Sequence, residues 1–322
     1  SIAGGEKRAR YSFLGVGSGR AFRCRGHYFE ILENGDAVKS GKADNPLDEL
    51  KAFLAPYQPV SLPELPRFFG GAVGYLGYDM VRHIEQLPEL NDAEMGTYDS
   101  WFLITETLLI FDNMQQKIKV ISNVHLRDGE DPGQAYDQAV KRIEGMVAQL
   151  RKPLPERSGD ARRPTSAELQ SNFSRPDFEA AVEQCKDYVR AGDVIQVVLS
   201  QRFSGDLDAD PFDVYRALRT INPSPYMFYL QFNETRVIGA SPEVLVRKEG
   251  DHVEGAAQVD GEPGAGSVES RIVGRWGGAV PQDINRQGGW QAMGADLSEP
   301  HDRQASREGA RRLLGQDVAR GP

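Results

Sequence analysis

The chain has 322 residues, of which 39% are hydrophobic, so it is long enough for one large domain or two smaller ones with a packed core. Its net charge of −9 disfavours nucleic acid and anionic membranes as partners, because both are bound mainly through Lys and Arg. No apolar run is long enough to cross a bilayer, no signal peptide pattern is present, and the missing initial Met suggests a cut or processed N-terminus.

Strand-like segments separated by turns dominate the first part of the chain. Arg10 to Leu14 and the aromatic-rich run from Ala21 to Leu32 predict strands, and Asn34-Gly35 is a strong hairpin signal before Ala37-Val38. Gly15 to Gly19 lacks the spacing of a phosphate-binding loop and predicts a plain turn.

Two helices and two further strands are predicted between residues 46 and 150. Residues 46–56 predict a short helix that begins after Asn45. Trp101 to Phe111 and Lys117 to Val124 predict buried strands joined by a turn at Asp112-Asn113. Residues 134–150 predict an amphipathic helix whose buried face carries Tyr136, Val140, Ile143, Val147 and Leu150.

The next segment, residues 151–172, is charged and poor in apolar residues, and it predicts a linker or a long surface loop. A well-signalled helix follows, with Ser174 as its N-cap and Gly192 at its C-terminus. Its predicted buried stripe consists of Phe178, Val182, Cys185 and Val189.

Further strands and one more helix are predicted as far as residue 251. Val194 to Phe203 predicts a strand, and residues 211–220 predict a helix with Val214 and Leu218 inward. A hairpin around Asn233-Glu234 comes next, and residues 244–247 lead into a turn at 249–251. Strands outnumber helices and are joined by short turns, which favours an antiparallel α+β architecture.

Single residues and short motifs give few candidates for chemistry. The five His are scattered, and a surface or core role is the simpler interpretation of each. Asp206, Asp208 and Asp210 have the spacing that begins a calcium loop, but Pro211 stands where that loop needs Gly. Two reduced thiols in a cytoplasmic protein are the simplest interpretation of Cys24 and Cys185, and a disulfide between them stays open.

Two strings carry more information. Residues 70–79, GGAVGYLGYD, place small residues between aromatic ones, which suits close packing of the backbone or, as the less favoured alternative, a ligand. Residues 222–228, NPSPYMF, form a stiff apolar corner with Tyr226 and Met227 next to Pro225. Such a corner suits a flat hydrophobic ligand, and a corner of the core would look the same.

Five strings in chain order resemble anthranilate synthase component I. They are SIAGGEKRARYSFL (1–14), GGAVGYLGYD (70–79), AGDVIQVVLSQRF (191–203), NPSPYMF (222–228) and GASPE (239–243). The resemblance covers residues 1–254 and implies a large α+β sandwich of two orthogonal antiparallel sheets flanked by helices. The implied reaction converts chorismate to anthranilate and pyruvate, the first committed step of tryptophan biosynthesis.

The resemblance also implies ligands and partners. Ammonia would come from a glutamine amidotransferase subunit, component II, and Mg²⁺ would hold the carboxylate of chorismate. L-tryptophan would bind as a feedback inhibitor, and the positions that match the inhibitor motifs are Ser1, Pro225, Tyr226 and Met227. The Pro-Tyr-Met form favours this family over aminodeoxychorismate synthase, which stays as an alternative.

The composition changes abruptly after Glu254. Residues 255–322 contain no Lys, Phe, Tyr, Thr or Cys, yet they hold 13 of the 34 Gly. The chorismate loop, the Mg²⁺-binding Glu residues and the catalytic His segment of the family do not follow. We therefore assign no catalytic or metal-binding residue, and we expect this tail to be frameshifted or disordered.

Four regions are therefore predicted: an inhibitor-binding region (1–151), a linker (152–172), the start of the chorismate-binding domain (173–254) and an aberrant tail (255–322). The chain is expected to be a fragment of anthranilate synthase component I, truncated at both ends and without activity of its own. A remnant that binds tryptophan or docks a partner subunit without catalysis is the alternative of a different class.

Overall fold

The computed structural model describes residues 10–16, 19–60, 62–87, 95–154, 168–242, 244–259 and 268–275, with side chains up to His252. It divides into two compact units. Unit 1 consists of Ser1–His83, Ala93–Asp160 and Leu230–Arg236. Unit 2 consists of Ile84–Asp92, Ala161–Tyr229 and Val237–Pro322.

Unit 1 is built on two antiparallel sheets. Its strands are β1 (Tyr11–Val16), β2 (Arg20–Arg25), β3 (Tyr28–Glu33), β4 (Asp36–Lys42), β5 (Gly71–Leu76), β6 (Ser100–Thr105), β7 (Thr107–Asp112) and β8 (Lys117–Ser122). One sheet has the strand order β4-β3-β2-β6-β5 and the other has the order β1-β7-β8. Helices α1 (Pro46–Leu54) and α2 (Pro132–Leu150) accompany them, and a 3₁₀ helix spans Tyr78–His83.

Local signals set the ends of several of these elements. Asn34 and Gly35 have φ values of 52° and 96°, the left-handed pair that a tight hairpin between β3 and β4 requires, as predicted. Asn45 Oδ1 accepts a hydrogen bond from Leu47 N at 3.0 Å and caps α1, which confirms that helix. The short side chain and the turn therefore act before any long-range contact is needed.

The core of unit 1 lies between the five-stranded sheet and α1. Its buried members come from four elements of the sheet side and from the helix: Phe22, Cys24, Phe29, Ile31, Phe53, Met80 and Ile104. In the second sheet, the central strand β7 buries both of its faces, with Leu108, Leu109 and Ile110 all at 1% exposure or less. A strand buried on both faces reads as a continuous apolar run, which explains the sequence pattern here.

Two predictions for unit 1 were wrong in detail. The run Trp101 to Phe111 is two strands, since the chain leaves one sheet after Thr105 and enters the other at Thr107. In α2, Tyr136 and Leu150 are 68% and 44% exposed, while Ala139 is buried. The face of α2 that packs in unit 1 is therefore rotated about the helix axis from the predicted one.

Unit 2 contains two capped helices. Ser174 Oγ accepts from Asp177 N at 3.2 Å at the start of α3 (Arg175–Ala191), and Gly192 ends that helix with φ 80°. Asp210 Oδ1 accepts from Phe212 N at 2.8 Å at the start of α4 (Pro211–Ile221). Both predicted helices are confirmed. The predicted stripe of α3 is only partly covered, since Val182 and Val189 are exposed.

The strands of unit 2 form small antiparallel groups. They are β9 (Gln170–Ser171), β10 (Phe203–Ser204), β11 (Tyr226–Phe232), β12 (Thr235–Ser241), β13 (Val246–Glu249), β14 (His252–Val259) and β15 (Val268–Arg275). β9 pairs with β10, β11 with β12, and β14 with both β13 and β15. The turn end of the confirmed hairpin β11–β12, Leu230–Arg236, is grouped with unit 1.

The predicted strand at Val194 to Phe203 was wrong. Only Phe203–Ser204 is strand, paired with Ser171 and Gln170, and residues 194–202 carry no strand. A run of strand-forming residues becomes a strand only when another strand pairs with its backbone. No described strand of the chain does so here.

The backbone of the predicted tail is described in part. Residues 255–259 lie in β14 and residues 268–275 form β15, which is not what disorder predicts. Residues 260–267 and 276–322 lie outside the described residues, as do residues 155–167 of the predicted linker. None of the described helices has the length and apolar character of a membrane span.

Candidate functional site

The segment Pro225-Tyr226-Met227 lies at the start of β11 in unit 2. Ser224 Oγ donates a hydrogen bond to the carbonyl oxygen of Ser241 at the end of β12, and it accepts one from Tyr226 N at 3.3 Å. The hydroxyl thus ties the corner to the neighbouring strand. Pro225 is exposed, and Tyr226 and Met227 are half-buried, so part of each side chain is open to a ligand.

Strand geometry limits how this segment can bind. Successive side chains of a strand point to opposite faces of the sheet, so Tyr226 and Met227 face opposite ways. A flat ligand that stacks on one side chain therefore meets the other residue through its backbone. The predicted slot with both side chains on one ligand face does not follow from β11.

Each face of β11 has its own neighbours in unit 2. The Tyr229 ring meets the Phe212 ring edge-on, with centroids 5.3 Å apart, and lies 6.1 Å from the Tyr215 ring. On the other strand of the hairpin, a Cβ on Gly239 would overlap the ring of Phe228. The glycine therefore lets the Phe228 ring lie flat on β12, and α4 supplies an aromatic layer beside Tyr229.

Ser1, the remaining predicted inhibitor-binding residue, lies outside the described residues, as does Glu243 of the GASPE string. The described structure therefore brings Pro225, Tyr226 and Met227 together as one segment. Their role in binding stays a prediction. The hydrogen bond from Ser224 to Ser241 was not foreseen, because it depends on the register of the hairpin.

The glycine-rich string at residues 70–79 forms β5 and the turn after it. A Cβ on Gly74 would overlap the carbonyl oxygen of Trp101 and lie 2.7 Å from Phe102 Cα. Gly77 N donates to the carbonyl oxygen of Asp99 at 2.6 Å. The glycines therefore allow β5 to approach β6 closely, which confirms the packing interpretation of this string.

A charged and aromatic cluster covers one face of the five-stranded sheet. The Arg23 guanidinium lies 4.3 Å from the Tyr98 ring centroid and 5.0 Å from the Trp101 ring centroid. Arg23 Nε also donates to Glu30 Oε2 at 2.7 Å. This charge is paired and stacked, so its interactions are accounted for within unit 1, and nothing in its geometry requires a ligand.

Two of the scattered His meet in unit 1. The rings of His27 and His83 are edge-on with centroids 5.1 Å apart, and His27 Nδ1 lies 3.0 Å from the carbonyl oxygens of both Ala43 and Asp44. Burial, and then the charge of a protonated His27, hold the pKa of His83 below its usual value. The sequence gave no signal for this pair.

The described residues do not fit Mg²⁺. Within them no three His, Cys, Asp or Glu side chains come together in a group that could hold a metal ion. Asp210 is engaged as the cap of α4, and Asp206 and Asp208 are exposed. No catalytic step through Mg²⁺ is derived for this part of the chain. Cys24 and Cys185 are both free thiols, as the simplest interpretation predicted.

Known proteins resemble the chain over most of its length. It is 41% identical over 256 residues to anthranilate synthase component 1 of Pseudomonas putida, which covers 77% of this chain and 51% of that protein. It is 39% identical over 259 residues to the Acetivibrio thermocellus protein of the same name, covering 79% and 52%. The chain thus spans about half the length of the curated relatives it matches.

A solved structure agrees with these relatives. Anthranilate synthase component I from Streptococcus pneumoniae TIGR4 has a TM-score of 0.59 and 30% identity, over 80% of this chain and 55% of that chain. This likeness confirms the predicted α+β fold of the anthranilate synthase component I type. A family model described as chorismate binding enzyme matches residues 11–258, and its end lies close to the change of composition after Glu254. The chain belongs to the chorismate-binding enzyme family.

Proposed function

We propose that this chain derives from anthranilate synthase component I, which converts chorismate and ammonia to anthranilate and pyruvate. The observation that carries the proposal is the 41% identity over 256 residues to a relative of that name. Glutamine would supply the ammonia through a component II partner, and a cytoplasmic location belongs to the same proposal. The matched residues are those that the resemblance associates with inhibition by tryptophan.

The role we propose for this chain itself is tryptophan binding. Pro225, Tyr226 and Met227 are held at the start of β11 by the Ser224 hydroxyl, which supports a preformed corner. Tyr226 and Met227 each keep part of their side chain exposed. An indole that stacks on one of these side chains would bury apolar surface, and a hydroxyl such as that of Ser1 can accept from its ammonium group.

Catalysis by this chain alone is not part of the proposal. The segments that the resemblance associates with chorismate and Mg²⁺ are not found after Glu254, and the described residues hold no metal-binding group. We expect no anthranilate fluorescence when the purified chain is mixed with chorismate, Mg²⁺ and ammonia. Turnover above the rate without protein would contradict this inference.

Tryptophan binding is tested by thermal unfolding. A ligand at 100 times its Kd stabilises the folded state by about 2.7 kcal/mol, which raises Tm by roughly 5–10 °C for a unit of this size. We expect tryptophan, but not phenylalanine, to produce such a shift. Tyr226→Ala or Met227→Ala should remove it, and the two variants identify which face of β11 stacks on the indole.

Tyr136→Ala is the matched control. Tyr136 is a tyrosine of α2 in unit 1 that is 68% exposed, so its loss should leave the tryptophan shift unchanged. A wild-type chain that shows no shift with tryptophan would contradict the proposed role. A shift that survives both Tyr226→Ala and Met227→Ala would place tryptophan elsewhere.

A further inference from the structure

Buried apolar side chains are unevenly divided between the two units. Among the described residues, every buried apolar side chain lies in unit 1 except that of Val194. Helices α3 and α4 bury none of their residues, although both carry an apolar stripe. A helix of a stable unit normally buries one apolar face. Unit 2 therefore presents apolar surface that no described residue covers.

Residues 194–203 are the most unusual part of that surface. Their sequence, VIQVVLSQRF, is rich in the β-branched and apolar residues that favour strands. Ile195 and Val198 are 54% and 77% exposed. Among described residues, no hydrogen bond uses the backbone of residues 194–200, and the contacts begin at Arg202, whose N–H donates to Asn172 Oδ1 at 2.7 Å.

An unpaired backbone next to exposed apolar side chains is what a strand offers to another chain. Recognition by strand addition uses these two features, with main-chain hydrogen bonds for affinity and alternate side chains for specificity. The strand that the sequence predicts and the structure lacks is therefore explained if its pairing strand is absent. The sequence and the structure then agree about residues 194–203.

The size of the relatives indicates the occupant. The chain covers 51% of the Pseudomonas putida relative, so a comparable length of that protein has no counterpart in the matched region. We propose that residues 194–203 pair with a strand of this complementary half when it is supplied as a separate polypeptide. The pairing would convert the segment to strand and cover the apolar surface of unit 2. Only the identity of the complement rests on the proposed function.

The test uses the full chain and the half of the Pseudomonas putida relative that it does not match. The two polypeptides are produced separately and mixed, and association is measured by analytical ultracentrifugation. Amide hydrogen exchange locates the contact. We expect a 1:1 complex in which exchange at residues 194–203 slows at least about tenfold, because amides that enter a strand ladder lose contact with water.

Two variants with equal side chains separate this contact from general apolar attraction. Val198→Asp places a charge in the proposed interface and should weaken the complex at least about tenfold, because an unpaired charge is costly to bury. Val60→Asp is the control, since Val60 lies in unit 1 and is 78% exposed, against 77% for Val198. Neither side chain is buried in the free chain, so both variants should fold.

The outcomes are distinct. No complex, a complex without slower exchange at residues 194–203, or an equal effect of both variants would overturn the proposal. Self-association of this chain through residues 194–203 would replace the committed occupant by a second copy. A complex that forms no anthranilate would leave the inference standing and count against the proposed function. Stabilisation by tryptophan without a complex would do the reverse.

Discussion

Replacing Gly74 by Ala should destabilise unit 1 markedly. The new Cβ would overlap the carbonyl oxygen of Trp101 and lie 2.7 Å from Phe102 Cα, and these are backbone atoms of the paired strand β6. Backbone atoms cannot swing aside as a side-chain tip can, so β5 must move away from β6. Overpacking of this kind costs about 1–3 kcal/mol, and the loss of glycine's freedom in the unfolded chain returns about 0.4–1 kcal/mol.

The net cost is therefore about 2 kcal/mol when the upper part of the overpacking range applies. With a urea m-value of about 2 kcal/mol/M, the unfolding midpoint should fall by roughly 1 M. The measurement is urea unfolding followed by far-UV circular dichroism. The m-value should stay the same, since the surface exposed on unfolding does not change.

The same substitution in α2 should have the opposite sign. Gly145 lies in unit 1 inside α2, and nothing lies within 4 Å of a Cβ built on it. Alanine is a better helix former than glycine, so Gly145→Ala should stabilise by about 0.5–1 kcal/mol. A midpoint for Gly74→Ala within error of the wild type, or above it, would refute the argument from close strand packing.

Two further predictions concern pH. Burial first, and His27 second, hold the pKa of His83 low against the opposing charge of Asp99, so folding favours the neutral ring. Stability from this group is present above the unfolded-state pKa of about 6.5 and is lost as the pH falls through the folded-state pKa. His83→Gln should therefore flatten the dependence of Tm on pH in this range, and an unchanged slope would contradict it. Burial of Asp112 acts to raise its pKa, but hydrogen bonds from the turn backbone and from Arg10 outweigh it and the pKa is lowered. That contribution is present above an unfolded-state pKa of about 3.9 and is lost as the pH falls through the folded-state pKa, so Asp112→Asn should lower Tm at pH 7 more than at pH 3. An equal loss at the two pH values would show that the carboxylate charge is not responsible.

The sequence predicted elements whose causes are local. Asn34-Gly35 specifies a turn by its own backbone preference, and Ser174 and Gly192 begin and end α3 through contacts within a few residues. Strands depend on partners far along the chain. Nothing local shows that the apolar run from Trp101 changes sheets near Glu106, or that residues 194–202 meet no pairing strand.

The candidate site divides in the same way. The stiff corner at Pro225 was visible in the sequence because its two prolines restrict the backbone by themselves. The hydroxyl contact from Ser224 to Ser241 and the meeting of His27 with His83 depend on which segments become neighbours. Periodicity also misplaced the buried face of α2, because it does not say which neighbour the helix packs against.

The two free thiols give each unit its own natural reporter. Cys24 in unit 1 is fully buried, with its Sγ 3.2 Å from Ser100 Oγ and 3.6 Å from Met80 Sδ, and burial raises its pKa. Cys185 on α3 in unit 2 is partly exposed. A thiol reagent should therefore modify Cys185 in the native chain at once, whereas the rate at Cys24 times the opening of unit 1. A single labelling experiment, with no engineered probe, thus follows the two halves of the molecule separately.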